Sequence, residues 1–406
     1  MPRLVRYALV LIGGVFVLFV VVVVVIAVAY SPAYAYRYLA WMDADVGDHA
    51  RFPSRAIEAE AEPHRFAEPV DDGAEEAVVA ALEGTSAVGG DLDGFLEDTR
   101  TQALIVIRDG EVLLERYVGE FERESIATSF STAKSFLSAL VGIAIDEGAI
   151  GGIEDPITEY LPELLERDAR FGGITIRHLL NMSSGIHYVE TRLPNGDDAL
   201  TYYYDDLEEL ALERTTIDGP PGEEWLYNNY HPLLLGVILE RTTGMAVAKY
   251  LEAKIWQTMG AEFDGSWSLD SEDGLEKLES GINARPIDFA KLGQLYLDGG
   301  VGADGSAVVP ADWVELSTQP SDGVESSTYY PETFDRPFGS VSHEMFWWHV
   351  VRPDGRSALS AVGNHGQFIF VSPSERIVIV RNGESYGIGL MAWLELFVEA
   401  SDSLGQ

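Results

Sequence analysis

The chain has 406 residues, 47% of them hydrophobic, enough for one large domain or two small ones with a sizeable core. Its formal charge is −39 and its lysines number only five (Lys134, Lys249, Lys254, Lys277 and Lys291), which disfavours nucleic acid and anionic membrane surfaces as partners. No cysteine is present, so disulfides, thiolate nucleophiles and zinc ribbons are excluded. Such acidity on an otherwise globular composition, with Arg preferred to Lys, is the surface expected of a protein that works in high salt.

In chain order, the first element is an uncharged apolar run from Tyr7 to Tyr30, long enough to cross ~30 Å of hydrocarbon as a helix. Arg3 and Arg6 precede it, and Tyr30, Tyr34, Tyr36, Tyr38 and Trp41 crowd its far end like an interfacial belt. Residues 1–42 therefore read as a single-pass membrane anchor with the rest of the chain outside the cytoplasm. The competing reading is a signal peptide cleaved at Ala33-Tyr34-Ala35, but the apolar run exceeds the ~7–15 residues usual for one.

Residues 43–75 are rich in Asp, Glu, Pro and Ala without periodicity, and are expected to form an acidic lead-in or tether to a folded domain over 76–406. "TQALIVIRDGEVLLERYVG" predicts two strands about Asp109-Gly110, a dipeptide favoured in tight hairpin turns. Helical periodicity follows at 131–147, 205–214, 231–243 and 286–298. Near the end "EMFWWHVV", "SALSAVG", "QFIFVSP" and "RIVIVRNG" read as strands and "GLMAWLELFVEA" as a closing helix. Strands at both ends with helices between predict an α+β fold, one antiparallel sheet built from both termini and covered by helices.

Within "SFSTAKSFLSALVGIAIDEGAI" the apolar positions recur at helical spacing, and Ser131 and Lys134 are i, i+3 neighbours on the first turn. Burial there disfavours the charged ammonium and makes Lys134 a base for the hydroxyl one turn away, beside helix N–H groups that favour an oxyanion. The bland alternative is a capping serine and a solvated lysine, and a Ser-x-x-Lys match by itself is weak. Two rival motifs fail. Gly383-Glu384-Ser385-Tyr386-Gly387 has the form of a nucleophile elbow, but the last histidine, His365, lies upstream of it. His343-Glu344 and His349 miss the H-E-x-x-H spacing, so no metal site is expected, nor any cofactor. Downstream, Tyr227-Asn228-Asn229 sits in a turn just before an apolar helix, where a phenol and an amide can project into a cleft and the phenol can relay a proton.

Four stretches in order, "SFSTAKSF", "ITIRHLLNMSSGI", "PGEEWLYNNYHPLLLGVILERTTG" with "GINARPIDFAKLGQLYLDGG", and "AVGNHGQFIFVSP", resemble the serine β-lactamase-like hydrolases. That group comprises class C β-lactamases, DD-peptidases, carboxylesterases and 6-aminohexanoate-dimer hydrolases, and the likeness spans roughly residues 100 to 395. The resemblance implies a β-lactamase-like fold, with Ser131 as nucleophile, Lys134 as its base, Tyr227 as second proton carrier and Asn229 as a substrate-orienting amide. It also implies an oxyanion hole from the backbone of Ser131 and of the strand near Gly363. The family's Lys-Thr-Gly or His-x-Gly falls here on Ala361-Val362-Gly363, without a cation. That group would hold the carboxylate of a β-lactam or D-alanyl peptide; esters and simple amides do not require it. His365, two residues on, is the candidate to fill the cleft, against a default role in packing. The expectation is a membrane-anchored serine hydrolase of small ester or amide substrates, with a β-lactamase or DD-peptidase as runner-up and a non-catalytic binding or sensor domain as the alternative from another class.

Overall fold

The computed structural model describes residues 3–69, 73–319 and 335–405. Twelve strands are described: Ser54–Ile57 (β1), Thr101–Arg108 (β2), Glu111–Tyr117 (β3), Ala127–Thr128 (β4), Gly265–Ser268 (β5), Ile282–Ala284 (β6), Asp335–Arg336 (β7), Gly339–Glu344 (β8), Trp347–Val351 (β9), Ser357–Gly363 (β10), Gln367–Ser372 (β11) and Ile377–Gly383 (β12). Eight of them form an antiparallel sheet in the order β3-β2-β12-β11-β10-β9-β8-β7, so the strands from the two ends of the chain meet at β2 and β12. This is the expected sheet. Its β2–β3 hairpin turns at Asp109 and Gly110, both at positive φ (51° and 79°), as the sequence predicts.

The sheet is covered on both faces, which is why its strands read as nearly unbroken apolar runs. Ile377 and Ile379 of β12 face the closing helix Leu390–Leu404, where Trp393 and Phe397 pack. Val378 and Val380 face the opposite way, into the large core shared with helices Ala133–Asp146 and Pro286–Leu297. Between the sheet's two contributing segments lies the inserted helical region, centred on Tyr230–Thr243.

Two features depart from the sequence reading. A second, four-stranded antiparallel sheet, β1-β5-β6-β4, is present where one sheet was expected. Its strands are two to four residues long and pair across distant parts of the chain, too short for a periodic signal. The acidic lead-in over 43–75 is docked on the domain at a few points rather than hanging free: β1 pairs with β5, Phe52 and Ile57 are buried, and Arg55 pairs with Glu276, while most of 58–69 is exposed or half-buried. Two apolar side chains, Phe52 and Ile57, find deep sites, and acids of the segment cap backbone N–H groups, as Asp45 does for Gly47. Residues 70–72 of that segment lie outside the described residues.

At the N-terminus Arg3–Ala29 is one helix, and its stretch Leu11–Ala29 has a mean hydropathy of 3.4 and stands clear of the domain except near its end, where Ile26 is buried. It is long and apolar enough to cross a membrane. The helix stops at Ser31-Pro32, where Ser31 caps a second helix, Pro32–Trp41, by accepting from Tyr34 N at 2.9 Å.

Candidate active site

Ser131 lies in a 3₁₀ turn, Phe130–Thr132, that leads into the helix Ala133–Asp146. Neighbouring bonds fix the turn: Ser129 N donates to Ile282 O at 2.7 Å, Ile282 N donates to Ser129 Oγ at 3.0 Å, and Ser135 Oγ donates to Phe346 O at 2.8 Å. Phe130, the residue before Ser131, has φ 42°, a left-handed conformation that costs a bulky side chain energy and persists only where its surroundings impose it.

What imposes it is the end of β10. A Cβ built on Gly363 would stand 2.4 Å from Ser129 O and 3.1 Å from Phe130 Cβ, so only glycine lets the strand reach the turn. Gly363→Ala is therefore expected to lower thermal stability by ~1–3 kcal/mol, the usual cost of overpacking against backbone, and to shift Ser131. A thermal melt indistinguishable from wild type would contradict that close approach.

The helix after the turn is buried along its length and carries Lys134 with it; the lysine is 1% exposed. Lys134 Nζ lies 2.8 Å from Ser131 Oγ, donates to Glu279 O at 2.7 Å and stands 5.0 Å from the centre of the Tyr227 ring. Burial, with a smaller push from Lys277, lowers its pKa from 10.5 to about 7, against the opposing pull of Glu279 and Glu190. The amine can thus be neutral near neutral pH, which a base for a serine hydroxyl must be.

Tyr227 and Asn229 come from the turn before the helix Tyr230–Thr243. Tyr227 is backed by an aromatic wall: its ring centre is 5.7 Å from that of His343 and 6.4 Å from that of Trp225. Burial, with His349 and Lys134 adding to it, drives the His343 pKa to about 3, so the imidazole is a neutral packing group. Asn229 Nδ2 donates to Tyr188 OH at 2.8 Å, and its Oδ1 is buried without a protein partner. Asn228, between them, is structural: it donates to Ile186 O and accepts from Tyr230 N.

The fold thus brings Ser131, Lys134 and Tyr227 together and sets Gly363 against the turn that carries Ser131. His365 behaves differently from the expectation that it fills the cleft. Its Nδ1 and Nε2 each lie 2.9 Å from a backbone carbonyl, those of Glu384 and Ala44, and its ring packs 5.1 Å from that of Phe130. Each ring nitrogen faces a backbone carbonyl and whichever carries the proton donates to it, so the ring braces the turn from behind. Ser385, of the rival motif, accepts from Gly387 N at 3.1 Å and shapes the turn before the closing helix. Among the described residues no group of three or more His, Asp or Glu could hold a metal ion.

Three neighbours of the site escaped the sequence reading. Glu279 acts through its carbonyl oxygen, which no side-chain pattern reveals. Tyr188 follows "NMSSGI" closely, and an aromatic residue just beyond that stretch was the available signal. His343 lies in an aromatic strand whose sequence pattern gives no sign that it backs Tyr227.

The Beta-lactamase family model matches residues 92–382. The chain is 31% identical over 306 residues to the 6-aminohexanoate-dimer hydrolase of Paenarthrobacter ureafaciens, covering 72% of this chain and 74% of that one. It is 29% identical over 187 residues to esterase EstB of Burkholderia gladioli, covering 41% of this chain and 47% of that protein. A solved structure from Bacillus anthracis, provisionally described as a 6-aminohexanoate-dimer hydrolase, superposes with a TM-score of 0.72 over 86% of this chain and 90% of that one; at 22% identity this likeness bears on the fold alone.

Proposed function

Since the chain belongs to the Beta-lactamase family, and has its α+β fold, we propose that it is a membrane-anchored serine hydrolase that cleaves small esters or amides through an acyl-enzyme on Ser131. One observation carries this reading: a lysine that is 1% exposed, with its Nζ 2.8 Å from a serine hydroxyl, beside a tyrosine ring. In the proposed reaction Ser131 Oγ bonds to the substrate carbonyl carbon while its proton passes to Lys134. Backbone N–H groups of Ser131 and of the strand end at Gly363 hold the oxyanion. The bond to the leaving alcohol or amine then breaks as Tyr227 gives its phenol proton to it and takes up the one held by Lys134, so both groups return to their starting states. Water attacks the acyl-enzyme by the reverse route and frees the acid and Ser131 Oγ. Asn229, whose Oδ1 is buried with no protein partner, orients the substrate.

Ala361-Val362-Gly363 bears no cation, which favours the ester and amide branch over β-lactams and D-alanyl peptides. Two relatives, named as a 6-aminohexanoate-dimer hydrolase and an esterase, agree with that branch. The helix Arg3–Ala29 serves as the anchor, with the hydrolase domain outside the cytoplasm. Fluorophosphonate labelling followed by a substrate panel tests the proposal. Short-chain p-nitrophenyl esters should be cut at least 100-fold faster than penicillin or nitrocefin. Efficient penicillin turnover would mean that another residue supplies an anion site and would move the chain to the β-lactamase branch. No label and no turnover on any ester or amide would favour a binding domain.

A further inference from the structure

The second helix, Pro32–Trp41, is docked on the domain by specific bonds. Tyr34 is fully buried and its OH donates to Pro194 O at 2.7 Å; Tyr38 OH donates to Arg192 O at 2.8 Å; Arg37 donates to Tyr203 O at 3.0 Å and to Asp270 O at 2.6 Å. The apolar helix before it is thus joined to the domain through a fixed connection, and the element it grips is the loop 188–196.

That loop is also a wall of the candidate active site. At its start Tyr188 OH accepts from Asn229 Nδ2, and Glu190 lies within electrostatic reach of Lys134. Its own bonds make it rigid: Val189 N donates to Asp197 Oδ2 at 2.7 Å, Thr191 N to Asp198 Oδ1 at 3.1 Å and Gly196 N to Leu193 O at 2.9 Å. A few residues therefore separate the catalytic cluster from the point where the anchor is held.

The exposed apolar side chains follow the same line. Outside the helix Arg3–Ala29, nine large hydrophobic side chains are exposed among the described residues, and four of them, Tyr36, Met42, Val189 and Leu193, lie on the second helix, at its end or on this loop. Leu193, at the loop's apex, is 60% exposed between the two carbonyls, Arg192 O and Pro194 O, that the anchor's tyrosines bind. A single exposed leucine is ordinary on a soluble surface, but these four cluster beside the helix proposed as the membrane anchor, and a loop held at a bilayer surface by that helix would bury Leu193 in the acyl region. With a net charge of −39 the protein as a whole is repelled by anionic headgroups, so a contact with an uncharged bilayer through Val189 and Leu193 is the one that fits, Arg192 and Glu190 of the loop offsetting each other.

The geometry points to a substrate taken from the lipid phase: a neutral long-chain acyl ester whose chain stays in the bilayer while its carbonyl reaches Ser131 past the loop 189–194. This rests on the serine hydrolase reading of that site and on the helix Arg3–Ala29 as the membrane anchor, and it narrows the substrate class.

The test uses the full chain reconstituted in phosphatidylcholine vesicles. A fluorogenic two-chain oleoyl ester, too apolar to exchange between vesicles, is placed either in the same vesicles as the protein or in separate ones, and p-nitrophenyl acetate is assayed in the water phase. Turnover of the oleoyl ester should be at least ten-fold faster in the same vesicles. Leu193→Glu should lower that rate at least ten-fold and leave acetate turnover within two-fold of wild type, and Leu193→Gln should fall between. Equal rates from shared and separate vesicles, no effect of Leu193→Glu, or an equal fall on both substrates would each overturn the inference, while acetate turnover by the wild-type protein keeps the hydrolase reading intact. A wild-type protein inactive on acetate as well would instead sink the hydrolase reading itself.

Discussion

Ser131→Ala is expected to abolish both ester turnover and fluorophosphonate labelling, a loss on the order of 10⁶-fold in kcat where the nucleophile of a coupled catalytic unit is removed. The size follows from what the hydroxyl does in the proposed reaction: it forms the covalent bond, and neither Lys134 nor Tyr227 can substitute for it. The bland alternative, a serine that merely caps a helix, fits the geometry poorly. Ser131 sits inside the 3₁₀ turn, the cap position of the following helix belongs to Thr132, and Ser131 Oγ pairs with Lys134 Nζ at 2.8 Å. A capping serine replaced by alanine would cost ~1 kcal/mol of stability and no rate. Ser385→Ala should be nearly silent, because that hydroxyl accepts from Gly387 N in a turn. Mass spectrometry of the labelled protein decides between them: an adduct on the peptide holding Ser385 would overturn the assignment, as would full labelling of the Ser131→Ala protein.

Much of this arrangement could be read in the sequence because its determinants are local. Ser131 and Lys134 are one helical turn apart, Tyr227 and Asn229 share one turn before one helix, and Asp109-Gly110 fixes the hairpin whose first strand pairs with β12. What escaped depends on distant backbone. Glu279 reaches Lys134 through a carbonyl oxygen, 145 residues away in the chain. His365 takes the packing role that is the default for such a residue, and the carbonyls that hold it, Glu384 O and Ala44 O, come from parts of the chain no local pattern connects to it. The lead-in looked like a tether because its composition is acidic and aperiodic, yet Phe52 and Ile57 are buried among side chains that the chain supplies far downstream. Composition weighs the average residue, whereas docking was decided by these few.

Lys134→Met is expected to lower kcat/KM by about 10³–10⁴-fold, toward the upper range for loss of a general base, while raising the melting temperature. The two effects share one cause. Burial lowers the Lys134 pKa from 10.5 to about 7, so near neutral pH the folded protein holds an amine without its proton while the unfolded chain still binds one. Between those two values the unfolded state carries more protons, so stability rises with pH across that window and its contribution is level on either side. The full span amounts to about 5 kcal/mol of stability given up at pH 7 and below, as an upper bound from the shift. Methionine fills similar space without a charge to desolvate, but it forfeits the bond to Glu279 O and leaves that buried carbonyl short of a donor, at a cost of ~1–3 kcal/mol. The net expectation is a gain of a few degrees at pH 7 that shrinks as pH rises toward 10. The rate carries the same signature: wild-type kcat/KM should rise about ten-fold per pH unit below about 7, as the amine loses its proton, and level off above it. A flat profile from pH 5 to 8 would mean that Lys134 does not titrate there. A Lys134→Met protein that is inactive yet melts below wild type across the same range would mean that the lysine is held as a stabilising cation rather than as a base.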